Sequence, residues 1–299
     1  MPETKFEIVE LKSGIKSLRL IDNQETFHPG IGPVAEARIL HVEQQRLTER
    51  LKKSGRLVIW DVGLGAAANA VAALEALKDC AGQVEIHSFD KTLEPLQFGL
   101  QHTEHLDYLA PYAPVLSSLL QDGVVQVNPR IRWYLHLGDF REQMLKTDLP
   151  VPQAIFYDPY SPSANVEMWT LEHFKRLRQR LDGAPPCLLS NYTRSTLVRV
   201  TWLMAGFIVG VGTAIGDKEE TTLASNSPVE IHRPLSREFL KKVYLSHASA
   251  PLRGQSYAIE RISEEDFEVV QLSEQFRRAQ ICPSEAWNSQ PIFSLWQPR

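Results

Sequence analysis

Four carboxylates in this 299-residue chain stand at the ends of apolar runs. Asp61 closes RLVIWD, Asp90 closes VEIHSFD, Asp139 closes IRWYLHLGD, and Asp158 closes AIFYD. In open α/β sheets, ligands bind beyond the carboxyl ends of the strands, so these acids are placed to line one site. Asp61 leads into Gly63-Leu64-Gly65 and then the alanine-rich AAANAVAALEALKDC. The glycines let backbone approach a ligand, and the start of the following helix offers free N–H groups. Asp90, with Lys91 beside it, suits ribose hydroxyls. Gly138-Asp139-Phe140 offers an acid for an adenine's amino group and an aromatic ring for its face.

A glycine loop followed by an acid fits either a dinucleotide or S-adenosylmethionine. Asp61 separates them. A carboxylate just before the first glycine would repel a pyrophosphate, whereas the amino group and sulfonium of S-adenosylmethionine are cationic and would be attracted. Plainer readings stay open at each position: a tight turn at Gly63 and Gly65, a solvated strand-end acid at Asp90, and a helix N-cap at Asp139 in GDFREQM.

The exit from the fourth run, FYDPYSPSANVEMW, is unusual. Two prolines fix φ, remove backbone donors and push their preceding residues out of the helical region. The loop therefore stays extended and holds Asp158 rigidly, presenting Tyr160, Ser161 and Pro162 alongside. Methyl transfer is an in-line displacement, so its catalyst chiefly positions the nucleophile and strips its water. A fixed carboxylate could orient an amine and take its proton. The plain alternative is a loop that only starts the next helix, with Ser163 as N-cap.

The elements that must hold these residues alternate from Arg56 to Ser225: strand, alanine-rich helix, strand, helices to about Leu120, strand, strand, helix, strand, helix, and two final strands. Such alternation predicts an α/β fold, a doubly wound Rossmann-like sheet. The last pair, FIVGVG and ETTLAS, has no helix between and predicts an antiparallel edge hairpin with a short turn around Gly216. Within the alternation, VEMWTLEHFKRLRQRL reads as one helix. The chain is expected to divide into an N-terminal extension (1–54), a Rossmann-like domain (55–225) and a peripheral C-terminal tail (226–299) with one or two helices. The extension carries a helix from Pro33 to Lys53, with Val34, Ile39, Val42, Leu47 and Leu51 at helical spacing.

Composition narrows the class. Hydrophobic content of 43% supports a sizeable core, and a net charge of -4 supplies no global field toward polyanions. Three scattered cysteines, Cys80, Cys187 and Cys282, form no CxxC pair and fit a reducing compartment. The polar start MPETKFEIVELKSG and the lack of a bilayer-length apolar run predict a cytoplasmic protein without membrane attachment. His102 and His105 in HTEH have helical spacing but no third ligand, so no metal is expected.

DPYSPSANVEMW resembles the D-[AP]-F-S-P-x-x-N-P-[DE]-[ML]-W signature of the methyltransferase module of the tRNA 5-methylaminomethyl-2-thiouridine biosynthesis proteins, MnmC. ETFHPGIGPVAEA (Glu25 to Ala37) and NYTRSTLVRVTWLMAGFIVG resemble segments of the stand-alone relatives of that module. The resemblance covers residues 20 to 225. It implies a class I S-adenosylmethionine-dependent fold that methylates the 5-aminomethyl group of a wobble (2-thio)uridine in tRNA. It also implies Asp158 as the catalytic acid, with Asp61, Gly63, Leu64, Gly65, Asp90, Lys91, Gly138, Asp139 and Phe140 about the cofactor. His28, Tyr160, Ser161 and Pro162 fall to the acceptor.

Two departures stand out. His28 is followed by Pro29 where relatives carry His-Ser, and Tyr160 replaces a phenylalanine. AIGDKEETTLAS occupies a hairpin where relatives often have a basic run, leaving a net negative turn, which favours an alternative acceptor, a small amine or a protein. A non-catalytic RNA- or partner-binding module is a third reading. For tRNA, clusters at Arg38, Arg46, Arg50, Lys52, Lys53 and Arg56, at Lys175, Arg176, Arg178 and Arg180, and at Arg233, Arg237, Lys241 and Lys242 could hold an anticodon arm.

Overall fold

The computed structural model describes residues 5–22, 24–28 and 30–281, so Pro29 and Cys282 lie outside the described residues. The chain divides into two compact units that interleave along the sequence. The first is Met1–Tyr160 with Leu188–Tyr192 and Thr213–Thr221; the second is Ser161–Cys187 with Thr193–Gly212 and Thr222–Arg299.

The first unit opens with a small antiparallel sheet of β1 (Phe6–Glu10), β2 (Lys16–Leu20) and β3 (Glu25–Thr26). Helix α1 (Pro33–Ala37), a π-helical stretch (Arg38–Glu43) and α2 (Leu47–Ser54) follow. The unit's main sheet is built from β4 (Arg56–Val62), β5 (Gln83–Asp90), β6 (Val124–Asn128), β7 (Ile131–Leu137), β8 (Ala154–Tyr157) and β9 (Leu188–Asn191). Between the strands run α3 (Ala68–Leu77), α4 (Glu94–Gln101), a 3-10 turn (Asp107–Tyr112), α5 (Ala113–Asp122) and the single-turn α6 (Phe140–Gln143).

The strand order within this unit is β9-β8-β4-β5-β7-β6. All neighbours are parallel except β6, which pairs antiparallel with β7. β4 is buried along LVIWDV, as expected of a parallel strand covered on both faces. The chain leaves β4 toward β5 and β7, then returns to lay β8 on the other flank. The order therefore reverses between β4 and β8, the position where open α/β sheets form their ligand crevice. Asp61 and Asp158 stand at the ends of those two strands.

The second unit contains the antiparallel pair β10 (Ile208–Val211) and β11 (Thr222–Ser225), with α7 (Leu171–Arg180), α8 (Thr196–Met204), α9 (Glu238–Leu245), α10 (Glu264–Gln271) and α11 (Glu274–Ile281). Residues 226–281 supply three helices rather than one or two, and they enter this unit's core. The Gln275 carboxamide, fully buried, closes onto β10: Val209 N donates to its Oε1 at 2.7 Å and its Nε2 donates to Val209 O at 2.9 Å.

Several sequence expectations are corrected. The Pro33–Lys53 helix is not continuous: it widens to a π-helix and breaks at Arg46, which takes a left-handed φ of 51°. VEMWTLEHFKRLRQRL splits at Thr170, which is extended and accepts a hydrogen bond from His173 N, so a 3-10 turn (Val166–Trp169) precedes α7. The link from β10 to β11 is ten residues long, not a tight turn (Gly212 to Thr221). The antiparallel pairing of those strands is as expected. Among the described residues no helix is long and apolar enough to cross a membrane.

Candidate active site

The ends of β4 and β8 meet in backbone contact. Gly63, at φ 93°, lies so close that a Cβ would fall 2.5 Å from the Asp158 carbonyl oxygen. The glycine is therefore required first by the neighbouring strand end. Asp158 N donates to Val62 O at 2.9 Å, extending the ladder one residue beyond β8. Its carboxylate accepts a hydrogen bond from Asn69 Nδ2 at 3.0 Å, from the first turn of α3. Two features thus fix Asp158: a backbone clamp and one amide donor. Asn69 is the lone polar residue of the buried alanine-rich stretch Ala66–Leu74, which was the sequence signal for it.

Asp61 is completely buried. Trp133 Nε1 donates to Ser88 Oγ at 2.9 Å, and Ser88 Oγ donates to Asp61 Oδ2 at 2.7 Å. Asp61 Oδ1 has no hydrogen-bond partner among the described residues. Burial pushes this carboxyl up to about 7; the Ser88 bond opposes the rise, and the charges of Asp158 and Asp90 add to it. A buried acceptor without a donor is costly, and a cation beside it would relieve both the missing bond and the repulsion. That orphaned oxygen fits the cationic ends of S-adenosylmethionine.

Asp90 ties the glycine loop to β5: Gly65 N donates to its Oδ2 at 3.0 Å and Thr92 N to its Oδ1 at 3.2 Å. Burial raises its pKa against those amide bonds. Gly65 is left-handed at φ 52°, and a Cβ there would meet the Phe27 ring at 3.1 Å. Tyr160 stands edge-on to Phe27, with ring centroids 5.7 Å apart. Its phenol is held above the usual range by burial and by the nearby charges of Asp90, Glu25 and Glu94. Phe27 thus lies against Gly65, and Tyr160 against Phe27.

Asp139 takes the N-cap role weighed from sequence: its Oδ1 accepts from Arg141 N at 2.9 Å. The Arg141 guanidinium grips the same carboxylate and holds it well below the ordinary range, while Lys91 Nζ lies 3.5 Å from its Oδ2. Gly138, at φ 131°, makes the turn before it. Phe140 departs from expectation. Its ring is 3% exposed, packed edge-on against Phe89 and Trp60, so it is a core residue and offers no free face to an adenine.

On the N-terminal side, His28 adopts a left-handed φ of 47°. Its Nδ1 lies 3.7 Å from the carboxylate of buried Glu36, whose other oxygen accepts from Gly30 N at 3.2 Å. Burial alone would lower the His28 pKa, but the Glu36 bond and the charges of Asp158, Glu36 and Asp61 outweigh it and the net shift is upward. Behind Asp158, the fully buried His41 stacks on Phe156 at 4.7 Å. Its Nδ1 is 2.7 Å from Ser190 Oγ, which also accepts from Gln45 Nε2 at 2.6 Å. Burial pushes His41 down to about 3, so the ring is neutral. Sequence reasoning missed Ser88, Asn69, Glu36, His41, Gln45 and Ser190. The pair His41 and Gln45, four residues apart on a mostly apolar helix, was the visible cue.

Ser161 and Pro162 belong to the second unit, where the Ser161 carbonyl accepts from Ala164 N and Asn165 N in a tight turn. Ser163 is not the helix N-cap: the following 3-10 turn starts after Asn165. The acidic Thr213–Thr221 loop folds with the first unit. Lys218 Nζ sits 3.6 Å over the Tyr192 ring and donates to Tyr192 O at 3.2 Å, leaving Asp217 and Glu219 exposed. Many of the basic residues are already engaged: Arg38 with Glu43, Arg56 with Glu85, Arg50 with the Gln153 carbonyl, and Arg178 with Asp182. Lys52, Lys53, Lys175, Arg176, Arg233, Lys241 and Lys242 are exposed, whereas Arg237 is buried. Among the described residues no cluster of three or more metal-ligating side chains occurs.

The chain is similar to known methyltransferases. A family model described as S-adenosyl-L-methionine-dependent methyltransferase matches residues 108–227. The crystal structure of MNMC2 from Aquifex aeolicus superposes with a TM-score of 0.67 at 26% identity, covering 90% of this chain and 83% of that one. This is the fold of an S-adenosylmethionine-dependent methyltransferase. The bifunctional tRNA 5-methylaminomethyl-2-thiouridine biosynthesis protein MnmC of Pseudomonas fluorescens (strain Pf0-1) is 32% identical over 198 residues, covering 62% of this chain and 29% of that protein. The chain thus matches less than a third of that relative's length. Uncharacterized protein MJ0670 of Methanocaldococcus jannaschii is 22% identical, covering 84% of this chain and 68% of its own. The resemblance to the MnmC methyltransferase module therefore extends to both sequence and fold, and S-adenosylmethionine is the cofactor of this class.

Proposed function

We propose that this methyltransferase N-methylates the 5-aminomethyl group of a wobble uridine in tRNA, with Asp158 as the catalytic acid-base residue. The observation that carries the reading is the juxtaposition at the β4/β8 switch point: a clamped carboxylate, Asp158, beside a buried one, Asp61, with an unpartnered oxygen. Bound S-adenosylmethionine supplies an electrophilic methyl group on a sulfonium. Asp61, the Gly63–Gly65 loop and Asp90 would hold it, with Lys91, Gly138 and Asp139 at its far end.

Asp158 then has one task, to receive an amine N–H and so point the nitrogen lone pair away from itself. Transfer of that methyl group to the nitrogen would leave the electron pair of the former S–CH3 bond on sulfur and the acceptor as an ammonium. The new ammonium gives its proton to Asp158, which passes it to water. Half-buried His28, in the segment before α1, and its buried partner Glu36 within α1 would close the same end of the site. The tRNA acceptor is supported by the names of the similar MnmC proteins and by exposed lysines and arginines. A cytoplasmic location belongs to the same proposal.

One observation favours a small amine or a protein instead. The loop Thr213–Thr221 spends its lysine on Tyr192 and exposes acids, which repel phosphate. Tritiated methyl incorporation into bulk tRNA from cells lacking the modification tests the choice. Labelled tRNA with wild-type chain and none with Asp158→Asn, both still binding S-adenosylhomocysteine by calorimetry, is the expected result. No label with wild type removes tRNA as acceptor.

A further inference from the structure

Asn69 is the only hydrogen-bond partner of the Asp158 side chain among the described residues. It faces that carboxylate with its amide nitrogen, as the chemistry requires, since an ionised carboxylate only accepts. The other end of the same amide, Asn69 Oδ1, is buried and has no partner among the described residues, and Asn69 itself is 2% exposed. An unsatisfied buried acceptor is costly to keep. It persists here next to an acid that also has accepting capacity to spare. The two side chains therefore present two acceptors, with one amide N–H of Asn69 committed to Asp158.

From this arrangement we infer that Asn69 is a positioning and product-specificity residue: it holds Asp158, and with it forms a two-point acceptor for the N–H groups of a primary amine. The inference rests on the proposed reading of Asp158 as the acceptor-side acid. A neutral primary amine has two N–H bonds and one lone pair. When Asp158 takes one hydrogen and Asn69 Oδ1 the other, the lone pair is left pointing at the methyl donor, and only one approach remains. Transfer forms N–CH3 and breaks S–CH3, and the proton shed by the resulting ammonium leaves through Asp158.

The product is a secondary amine with one N–H. To react again it must turn its lone pair back to the donor, which places its methyl group against one acceptor. That acceptor then stays unsatisfied, and leaving a buried polar group unpaired disfavours the second transfer by about tenfold or more. The site is built to stop at one methyl.

The experiment compares wild type, Asn69→Ala and the near-isosteric Asn69→Asp on tRNA lacking the modification, with nucleosides resolved by mass spectrometry. Asn69→Ala is expected to lower kcat about 10- to 100-fold with KM little changed, and to yield a dimethylated nucleoside that wild type does not make. Asn69→Asp keeps an acceptor oxygen but sets a second carboxyl against Asp158, where the two repel or share a proton, so it should slow turnover while still stopping at one methyl. Asn69→Ala turning over at the wild-type rate, or halting at one methyl, overturns the inference. Wild type inert on tRNA but active on a simple primary alkylamine rejects the tRNA reading alone, and the same three chains are then compared on that amine. Wild type inert on both, while binding S-adenosylhomocysteine, overturns the role of Asp158 and this inference together.

Discussion

Two aspartates at neighbouring strand ends, Asp61 and Asp158, are separated in role by environment more than by residue type. Asp61 is sealed in and pushed up to about 7 by burial. A folded-state pKa above the unfolded one stabilises the chain at low pH. Between the ordinary carboxylate range and about 7 the unfolded chain ionises Asp61 while the folded chain keeps it protonated. The Asp61 contribution to the stability of the ligand-free protein should therefore fall across that window, and Asp61→Asn should make the slope shallower in thermal melts, leaving the part due to Asp90 and His28. Binding of a cation runs the other way, because it favours the ionised acid. S-adenosylmethionine affinity should rise roughly tenfold from about pH 6 to about pH 8 in wild type, and calorimetry on Asp61→Asn should show weak, pH-independent binding. At this scale the strand-end acids were legible because each terminates an apolar run. Their partners were less so: Ser88 and Ser190 look like ordinary small polar residues until the sheet brings Asp61 and His41 beside them, and Asn69 stands out only as the one polar residue of its alanine-rich run.

At the scale of elements, the contact between strand ends governs the site. A methyl group on Gly63 would press on the Asp158 carbonyl at 2.5 Å and force a left-handed residue, so Gly63→Ala should separate the ends of β4 and β8. The expected cost is about 2 kcal/mol or more in urea unfolding, with loss of activity beyond what the remaining folded fraction explains. Strands β4, β5, β7, β8 and β9 and helices α3 and α8 were readable from apolar runs and alanine content. The helix breaks were not, for a physical reason. A left-handed Arg46 and an N-capping Thr170 are single-residue decisions made by packing, and helical periodicity continues across both. β6 escaped because VVQVN is short and half-buried, paired only at one edge of its sheet.

For the whole molecule, charge decides which acceptor can approach. The net charge is -4, and the Thr213–Thr221 loop adds exposed acids to the first unit. If tRNA is the acceptor, Asp217→Lys with Glu219→Lys should strengthen tRNA binding and steepen its salt dependence by about one phosphate contact per added lysine, read by filter binding at two salt concentrations. If a small cationic amine is the acceptor, the same change should raise its KM instead. Composition made the absence of a global basic field plain, but it could not show that Lys218 is spent on Tyr192. The measurement closest to the central claim is a crystal structure with S-adenosylhomocysteine. Ligand density is expected along Gly63-Leu64-Gly65, within reach of Asp61 and Asp90; density anywhere else would contradict the assignment of this loop to the cofactor.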